Sequence, residues 1–263
     1  MVTSLYRPIR LVAGLLLAAF LATQPLRAQT VLVLFGSSSS TYGNDVVTKL
    51  QGSGLYPGGV TLAGNATPTL AQLQQYNAVL VFTDSGGFVD PIAVGNVLAD
   101  YVDAGGGVVE AVFSNGSISI TGRWQTGGYT AFTSGGQASG TTLTLGTVYD
   151  SLSPLLTGVT TFSGGTSSYY STGSLRSGAI RVADWSNGVP LVAISPGFNG
   201  RIVSLNFFPP SSDIRSDFWD SSTNGLRLMT NSLNFVSIPE PSTCVLLSLG
   251  LVGLFWRNRR RLC

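Results

Sequence analysis

The chain has 263 residues, only 10% of them charged, and no histidine at all, which excludes a Ser-His-Asp hydrolase and a histidine-ligated zinc centre. Its formal charge of +2 belongs to its ends. Three arginines precede residue 29 and four follow residue 256, leaving seven basic side chains against 12 acidic ones, a net charge near −5 counting Glu240. An acidic body with scattered arginines excludes a nucleic-acid binder of the usual kind, because phosphate contacts need clustered Lys and Arg.

At the N-terminus, Arg7 and Arg10 precede an apolar run from Leu11 to Ala22, followed by Thr23-Gln24-Pro25-Leu26-Arg27-Ala28. This order reads as a secretory signal peptide cut after Ala28. No cysteine directly follows the run, so no lipoprotein anchor is expected. Cys244 and Cys263 both lie in the tail. The body therefore enters an oxidising compartment without a disulfide, and its roughly 205 residues must hold themselves by an ordinary core.

Val31 to Phe35 is a continuous apolar run ending in Gly36, as expected of a strand buried on both faces of a parallel sheet. A polar loop from Ser37 to Asn44 leads to a helix expected over Asp45 to Gln51. Val60 to Ala63 reads as a second strand, Leu70 to Tyr76 as a short helix capped by Thr69, and Ala78 to Phe82 as a third strand. Asp90 and Pro91 supply an N-cap and a first-turn proline. The helix they open carries Ile92, Val94, Val97, Leu98, Tyr101 and Val102 at helical spacing, and Gly105-Gly106-Gly107 stops it. Val108 to Phe113 is the fourth expected strand. Strand and helix thus alternate four times, which predicts a doubly wound, mainly parallel α/β sheet.

The second half differs. Residues 115–175 are rich in Gly, Ser and Thr and predict β-rich hairpins or long loops inserted on the sheet. Further strands are expected at Ala179 to Ala183, Pro190 to Ile194 and Arg201 to Leu205. Phe207-Phe208-Pro209-Pro210 reads as a strand end turning out of the core. A closing helix is expected over Asp220 to Phe235, with Asp220 as its cap and Leu226, Leu228, Met229 and Leu233 on its apolar side.

Two strand ends carry a resemblance. Thr83-Asp84-Ser85-Gly86-Gly87 follows the third strand, and Val112-Phe113-Ser114-Asn115-Gly116 follows the fourth. Over roughly residues 30–116 the chain resembles class I glutamine amidotransferase-like domains, a flavodoxin-like architecture. The resemblance implies that Ser85, Gly86 and Gly87 form the oxyanion-hole turn, and that Ser114 stands where the family has its nucleophilic cysteine, with Gly116 matching the elbow and Val112 replacing its first glycine. The family's triad also needs a histidine, which this chain lacks. A base for Ser114 would have to be Lys49, the only lysine, far off on the first helix. The plainer reading of Ser114 is a turn residue bonded to its own backbone, and that of Ser85-Gly86-Gly87 a connection needing positive φ.

Glycoside hydrolysis by two carboxylates needs neither His nor Cys. The acids of the body include Asp84, Glu110, Asp150, Asp184, Asp213, Asp217 and Asp220. Asp84 sits at a strand's carboxyl end and Glu110 inside an apolar strand, where burial raises a carboxyl's pKa, so this pair is the enzyme candidate; the plainer reading pairs Glu110 with an arginine. The loop Ser37 to Asn44 is loosely similar to the FMN loop of flavodoxins, but neither GxGxxG nor GxxxxGK is present, and no cofactor or metal is expected. Trp124, Tyr129, Phe132, Tyr169, Tyr170, Trp185 and Phe198 crowd the Gly/Ser-rich half, where exposed rings could stack on sugars and buried ones would pack under loops.

The tail reads Pro239-Glu240-Pro241, then an uncharged run from Cys244 to Trp256, then Arg257, Arg259, Arg260 and Arg261. The run is short of the roughly 20 residues of a full span, so the arginines would snorkel and stay cytoplasmic. These three parts in order resemble the PEP-CTERM sorting signal. The resemblance implies an exosortase-type partner, transient insertion in the inner membrane, and a final place at the cell surface or outside it. The expected organisation is a leader over 1–28, one α/β domain over 29–237 and a sorting signal over 238–263. The expected role is a non-enzymatic surface or matrix protein associated with exopolysaccharide, against a carboxylate-dependent glycan hydrolase or a small-molecule binding module.

Overall fold

A computed structural model describes residues 29–238. The expected leader, the Pro239-Glu240-Pro241 motif and the basic tail lie outside the described residues.

Eight strands form one sheet. In chain order the elements are β1 (Val31–Gly36), α1 (Thr41–Gly52), β2 (Val60–Ala63), α2 (Leu70–Leu73), β3 (Ala78–Thr83), α3 (Pro91–Asp103), β4 (Gly107–Ala111), α4 (Arg123–Thr126), β5 (Gln137–Ala138), β6 (Leu145–Val148), a 3₁₀ turn (Pro154–Leu156), β7 (Tyr170–Ser171), β8 (Ile180–Trp185), β9 (Pro190–Ser195), β10 (Ile202–Leu205) and α5 (Gly225–Val236). The sheet order is β2-β1-β3-β4-β10-β9-β8-β6. From β2 to β10 neighbours run parallel, and from β10 to β6 each pair is antiparallel. The chain runs outward from β1 to β2 and then returns to β3 on the other side of β1. That reversal makes the β1/β3 boundary a topological switch point.

The alternation of strand side chains divides the core. Val31, Val33, Phe35, Leu80, Phe82, Val109, Val203 and Leu205 face α1 and α5. Leu32, Leu34, Val79, Val81, Val108 and Ile202 face α2, α3 and α4. Both faces of the parallel strands are therefore covered, which is why these strands read as unbroken apolar runs. Trp185 and Phe162 extend the first cluster beneath the antiparallel strands.

Caps place the helices where the residues suggest. Ala93 N donates to Asp90 Oδ1 at 2.8 Å, and Thr69 exchanges side-chain and backbone bonds with Gln72 in a capping box. The helix expected to run to Tyr76 ends at Leu73, the strand expected over Ala179 to Ala183 spans Ile180–Trp185, and three further boundaries differ for local reasons. Helix α1 begins at Thr41 because the serine loop winds into its first turn, with Asn44 N bonded to Ser40 O at 2.9 Å. Strand β4 ends at Ala111, since Ser114 N turns back to Ala111 O at 3.1 Å. Helix α5 begins at Gly225, because Asp220 takes the amide and hydroxyl of Ser222 into a local turn instead of capping the helix. Among the described residues no helix is long and apolar enough to cross a membrane.

The inserted half is less regular than hairpins would make it. Strands β5 and β7 form a separate two-stranded pair, and β6 joins the main sheet as its edge strand. The segment after β10 also departs from expectation. Phe207 and Phe208 turn into the core, at 1% and 4% exposure.

Candidate functional site

The carboxyl ends of the parallel strands meet two loops that hold each other. After β1, Ser37 Oγ and Ser38 N both donate to Ser85 O, at 3.3 and 3.4 Å. After β3, Asp84 N donates to Gly36 O and Gly87 N donates back to Asp84 O, both at 2.9 Å. The turn needs its glycines: Gly86 has φ +91° and Gly87 φ +58°. Ser85-Gly86-Gly87 thus makes the positive-φ connection that its residues suggest.

Beside this turn opens a cleft of about 340 Å³. Its floor is Phe208, whose ring meets those of Phe82, Phe113, Tyr42, Phe218 and Tyr169 at centroid distances of 5.9, 5.0, 5.8, 5.1 and 6.3 Å. Most of these contacts are edge-on, the arrangement favoured by ring quadrupoles. Asp84, Ser85 and Gln137 supply a polar rim, and Ile118 closes one side. A void of about 10 Å³ lies below, among Trp185, Phe207 and Trp219, with room for little more than one water.

Arg215 holds the aromatic walls in place. Its guanidinium stands 4.6 Å over the ring of Phe218 and donates to the Tyr169 hydroxyl at 3.1 Å. Asp217 receives it twice, Nε at 2.6 Å and Nη2 at 2.8 Å. The Tyr42 hydroxyl, then Asp217 and Tyr169, push the Arg215 pKa further up against the opposing effect of burial. At Asp217 burial works to raise the carboxyl, but bonds from Ser167 and Arg215 outweigh it and hold the pKa below its usual 3.8. The cation is thus matched by its own anion, and its remaining effect is to fix the hydroxyls of Tyr42 and Tyr169 on two sides of one opening.

Of the residues singled out in the sequence, Asp84 and Ser85 line this cleft, while Gly86 and Gly87 shape it. Ser114 and Glu110 do not join them. Ser114 is fully buried, and its hydroxyl donates to Ala111 O at 2.5 Å; Phe113 is the elbow residue that faces the opening. Glu110 points to the other side of the sheet. There it accepts from Trp124 Nε1 at 2.9 Å and Ser204 Oγ at 3.3 Å, with Thr130 a further partner. Burial raises its carboxyl pKa; Thr130, Trp124, Ser204 and the charge of Arg176 offset this only in part. Asp84 and Glu110 therefore form no pair. Lys49 is bonded to Asp213 and stands over Trp219, away from Ser114's backbone turn. Asp184 is held by Arg181 and Tyr149. Among the described residues no cluster of three or more His, Cys, Asp or Glu could hold a metal ion.

The residues that sequence reasoning missed are Arg215, Phe208, Phe218 and Gln137. Only the aromatic density of 207–219 hinted at Phe208, Arg215 and Phe218, which reach the cleft from a segment about 100 residues or more beyond Asp84 and Phe113, and Gln137, in the Gly/Ser-rich insert, carried no signal. Tyr42 and Tyr169 lay within stretches already marked as a polar loop and as loop aromatics.

Comparison with known proteins adds two findings. Residues 237–261 match the family model of the PEP-CTERM protein-sorting motif. No curated protein matches the sequence. Among solved structures, a putative ThuA-like protein from Parabacteroides merdae aligns with a TM-score of 0.57 at 15% identity, covering 80% of this chain and 90% of that one. A second, from Bacteroides uniformis, aligns with a TM-score of 0.58 at 13% identity, covering 80% and 91%. At such identities the likeness shows the fold alone. The chain is thus an α/β domain similar in fold to ThuA-like proteins, which have a glutamine amidotransferase-like architecture, and it bears a PEP-CTERM sorting motif at its C-terminus.

Proposed function

We propose that residues 29–237 are a non-enzymatic module that binds or organises exopolysaccharide at the cell surface or in the extracellular matrix. The sorting motif supports the address: such motifs mark exported proteins processed by an exosortase, with a transient stay in the inner membrane. One observation carries the binding role. The carboxyl-end cleft is walled by Tyr42, Phe113, Tyr169 and Phe218 and rimmed by Asp84, Ser85 and Gln137. Phe113 and Phe218 are buried and shape the wall, while the half-buried rings of Tyr42 and Tyr169 can meet the apolar C–H faces of sugars, and the rim offers donors and acceptors for their hydroxyls.

The non-enzymatic reading rests on the lining. It contains one carboxylate, Asp84, where glycoside hydrolysis uses two, and the Ser114 hydroxyl is occupied by its own backbone. Because Arg215 is neutralised by Asp217, binding should depend little on salt. The test mixes the domain with the producing bacterium's own exopolysaccharide and follows particle mass by light scattering over hours. Growth of complexes without chain shortening is the expected result. Falling polymer mass would replace this reading with a carboxylate-dependent hydrolase, and no change at all would remove the glycan.

A further inference from the structure

We infer that the ligand is an extended glycan chain, held across two neighbouring cavities with the β1/β3 loop ridge between them; this rests on the glycan reading above and deepens it. The second cavity, about 280 Å³, opens at the ends of β1 and β2. Leu62 and Ala63 supply its apolar surface over the buried Phe35, and Ser38, Ser39, Ser40 and Asn65 its polar rim. It is a second place that offers hydroxyl partners beside an apolar patch, without the aromatic walls of the first.

The two cavities share one short segment. Ser38 to Ser40 border the second, and Tyr42, two residues further into α1, borders the first. Only the ridge where Ser38 meets Ser85 and Gly86 separates them, closed by the 3.4 Å bond from Ser38 N to Ser85 O. The ridge stands at the switch point of the sheet, where open α/β sheets receive ligands. Each cavity by itself lies near the lower end of the roughly 300–1,000 Å³ of small-molecule sites. A polymer reaching past the ridge would use both.

Within the serine rim the Ser39 hydroxyl is engaged by Thr41, at 3.1 and 3.3 Å, which leaves Ser38 and Ser40 to serve a ligand. Ser38, Ser39 and Ser40 are all exposed. Ser40 occupies the N-cap position of α1 but makes no capping bond, and its hydroxyl has only a 3.5 Å contact from Asn44. A hydroxyl can both donate and accept, as sugar hydroxyls require.

The test uses the domain and a size-graded series of oligosaccharides cut from the producer's exopolysaccharide, titrated calorimetrically. Gly64 lines the second cavity, and a Cβ there meets nothing within 4 Å. Gly64→Leu therefore fills the cavity from an unstrained position, and Tyr169→Ala opens the aromatic wall. Affinity for the wild type should climb with chain length by on the order of tenfold before levelling off. Gly64→Leu should remove most of that climb while leaving the shortest binding chains unaffected. Longer chains also offer more binding registers, but that statistical gain survives in Gly64→Leu, so the difference between the two proteins isolates the second cavity. Identical length profiles for the two proteins would overturn the inference and leave the aromatic cleft standing; so would an equal loss at every length. If no chain binds, or if Tyr169→Ala binds as well as wild type, the glycan reading itself fails.

Discussion

Strand β4 separates two polar regions that live under opposite conditions. On one side, Glu110 sits at 0% exposure among Trp124, Thr130 and Ser204. On the other, just past the end of the neighbouring strand β3, Asp84 borders an open aromatic cleft, and among the described residues no side chain donates a hydrogen bond to its carboxylate. Both acids lie on or just after strands of the same sheet, and only their direction distinguishes them. The sealed acid is committed to the core through fixed donors. The open one has its acceptors available for a ligand. An acid's place in a strand register therefore says little about chemistry until its face and its cover are known.

The hardest way to break this comparison is to remove the floor of the open side. Phe208→Ala should cost about 3–5 kcal/mol, the range for deleting a buried phenylalanine, because its ring supports both cleft walls. Chemical denaturation would show it, and a loss below about 1 kcal/mol would mean that the aromatic cluster is not the keystone of this end.

A smaller change sharpens the sealed side. Burial raises the Glu110 carboxyl above its ordinary 4.5, so the folded state holds this proton more tightly than the unfolded chain does. Its contribution to stability is complete below about pH 4.5 and is lost as pH rises through the folded value. Glu110→Gln keeps an acceptor for Trp124 and cannot ionise. It should be more stable than wild type at neutral pH and lose the decline above pH 4.5 that Glu110 causes. Denaturation midpoints at pH 4, 6 and 8 would check this, and a variant that is less stable at pH 8 would contradict it.

The smallest stability effect belongs to the open acid. Asp84→Asn should change unfolding free energy by no more than about 0.5 kcal/mol, as expected of an unbonded surface group, while weakening exopolysaccharide binding in the same titration. A large stability loss would place Asp84 in the structural framework instead of at a binding surface.

Much of the parallel half was legible before the structure. Val31–Gly36 and Ala78–Thr83 are buried throughout, and continuous apolar runs identify such strands. Asp90-Pro91 marked the start of α3 because capping is a local interaction. Ser85-Gly86-Gly87 declared a turn through its glycines. The closing helix was found but misplaced at its start, because the bonds of Asp220 to Ser222 prevail over its use as a cap. The cleft itself was only half legible. Asp84 and Ser85 sit beside a readable turn, whereas Arg215 and Phe218 come from a segment without a local signature.

By itself the sequence determined the things governed by neighbours along the chain: the strand and helix alternation, most of the caps, the sorting motif at the C-terminus, and the absence of histidine. The tertiary structure alone decided which face each side chain occupies. A one-residue change of register reverses that face within a strand; beyond Ala111 the turn that ties Ser114 back to Ala111 O seals its hydroxyl and leaves Phe113 facing the cleft. Long-range packing also decided that Phe208 turns inward, that Glu110 meets Trp124, and that Arg215 braces Tyr42 and Tyr169 across an opening. These contacts join residues far apart in sequence, and only the closing of the sheet brings them within bonding distance.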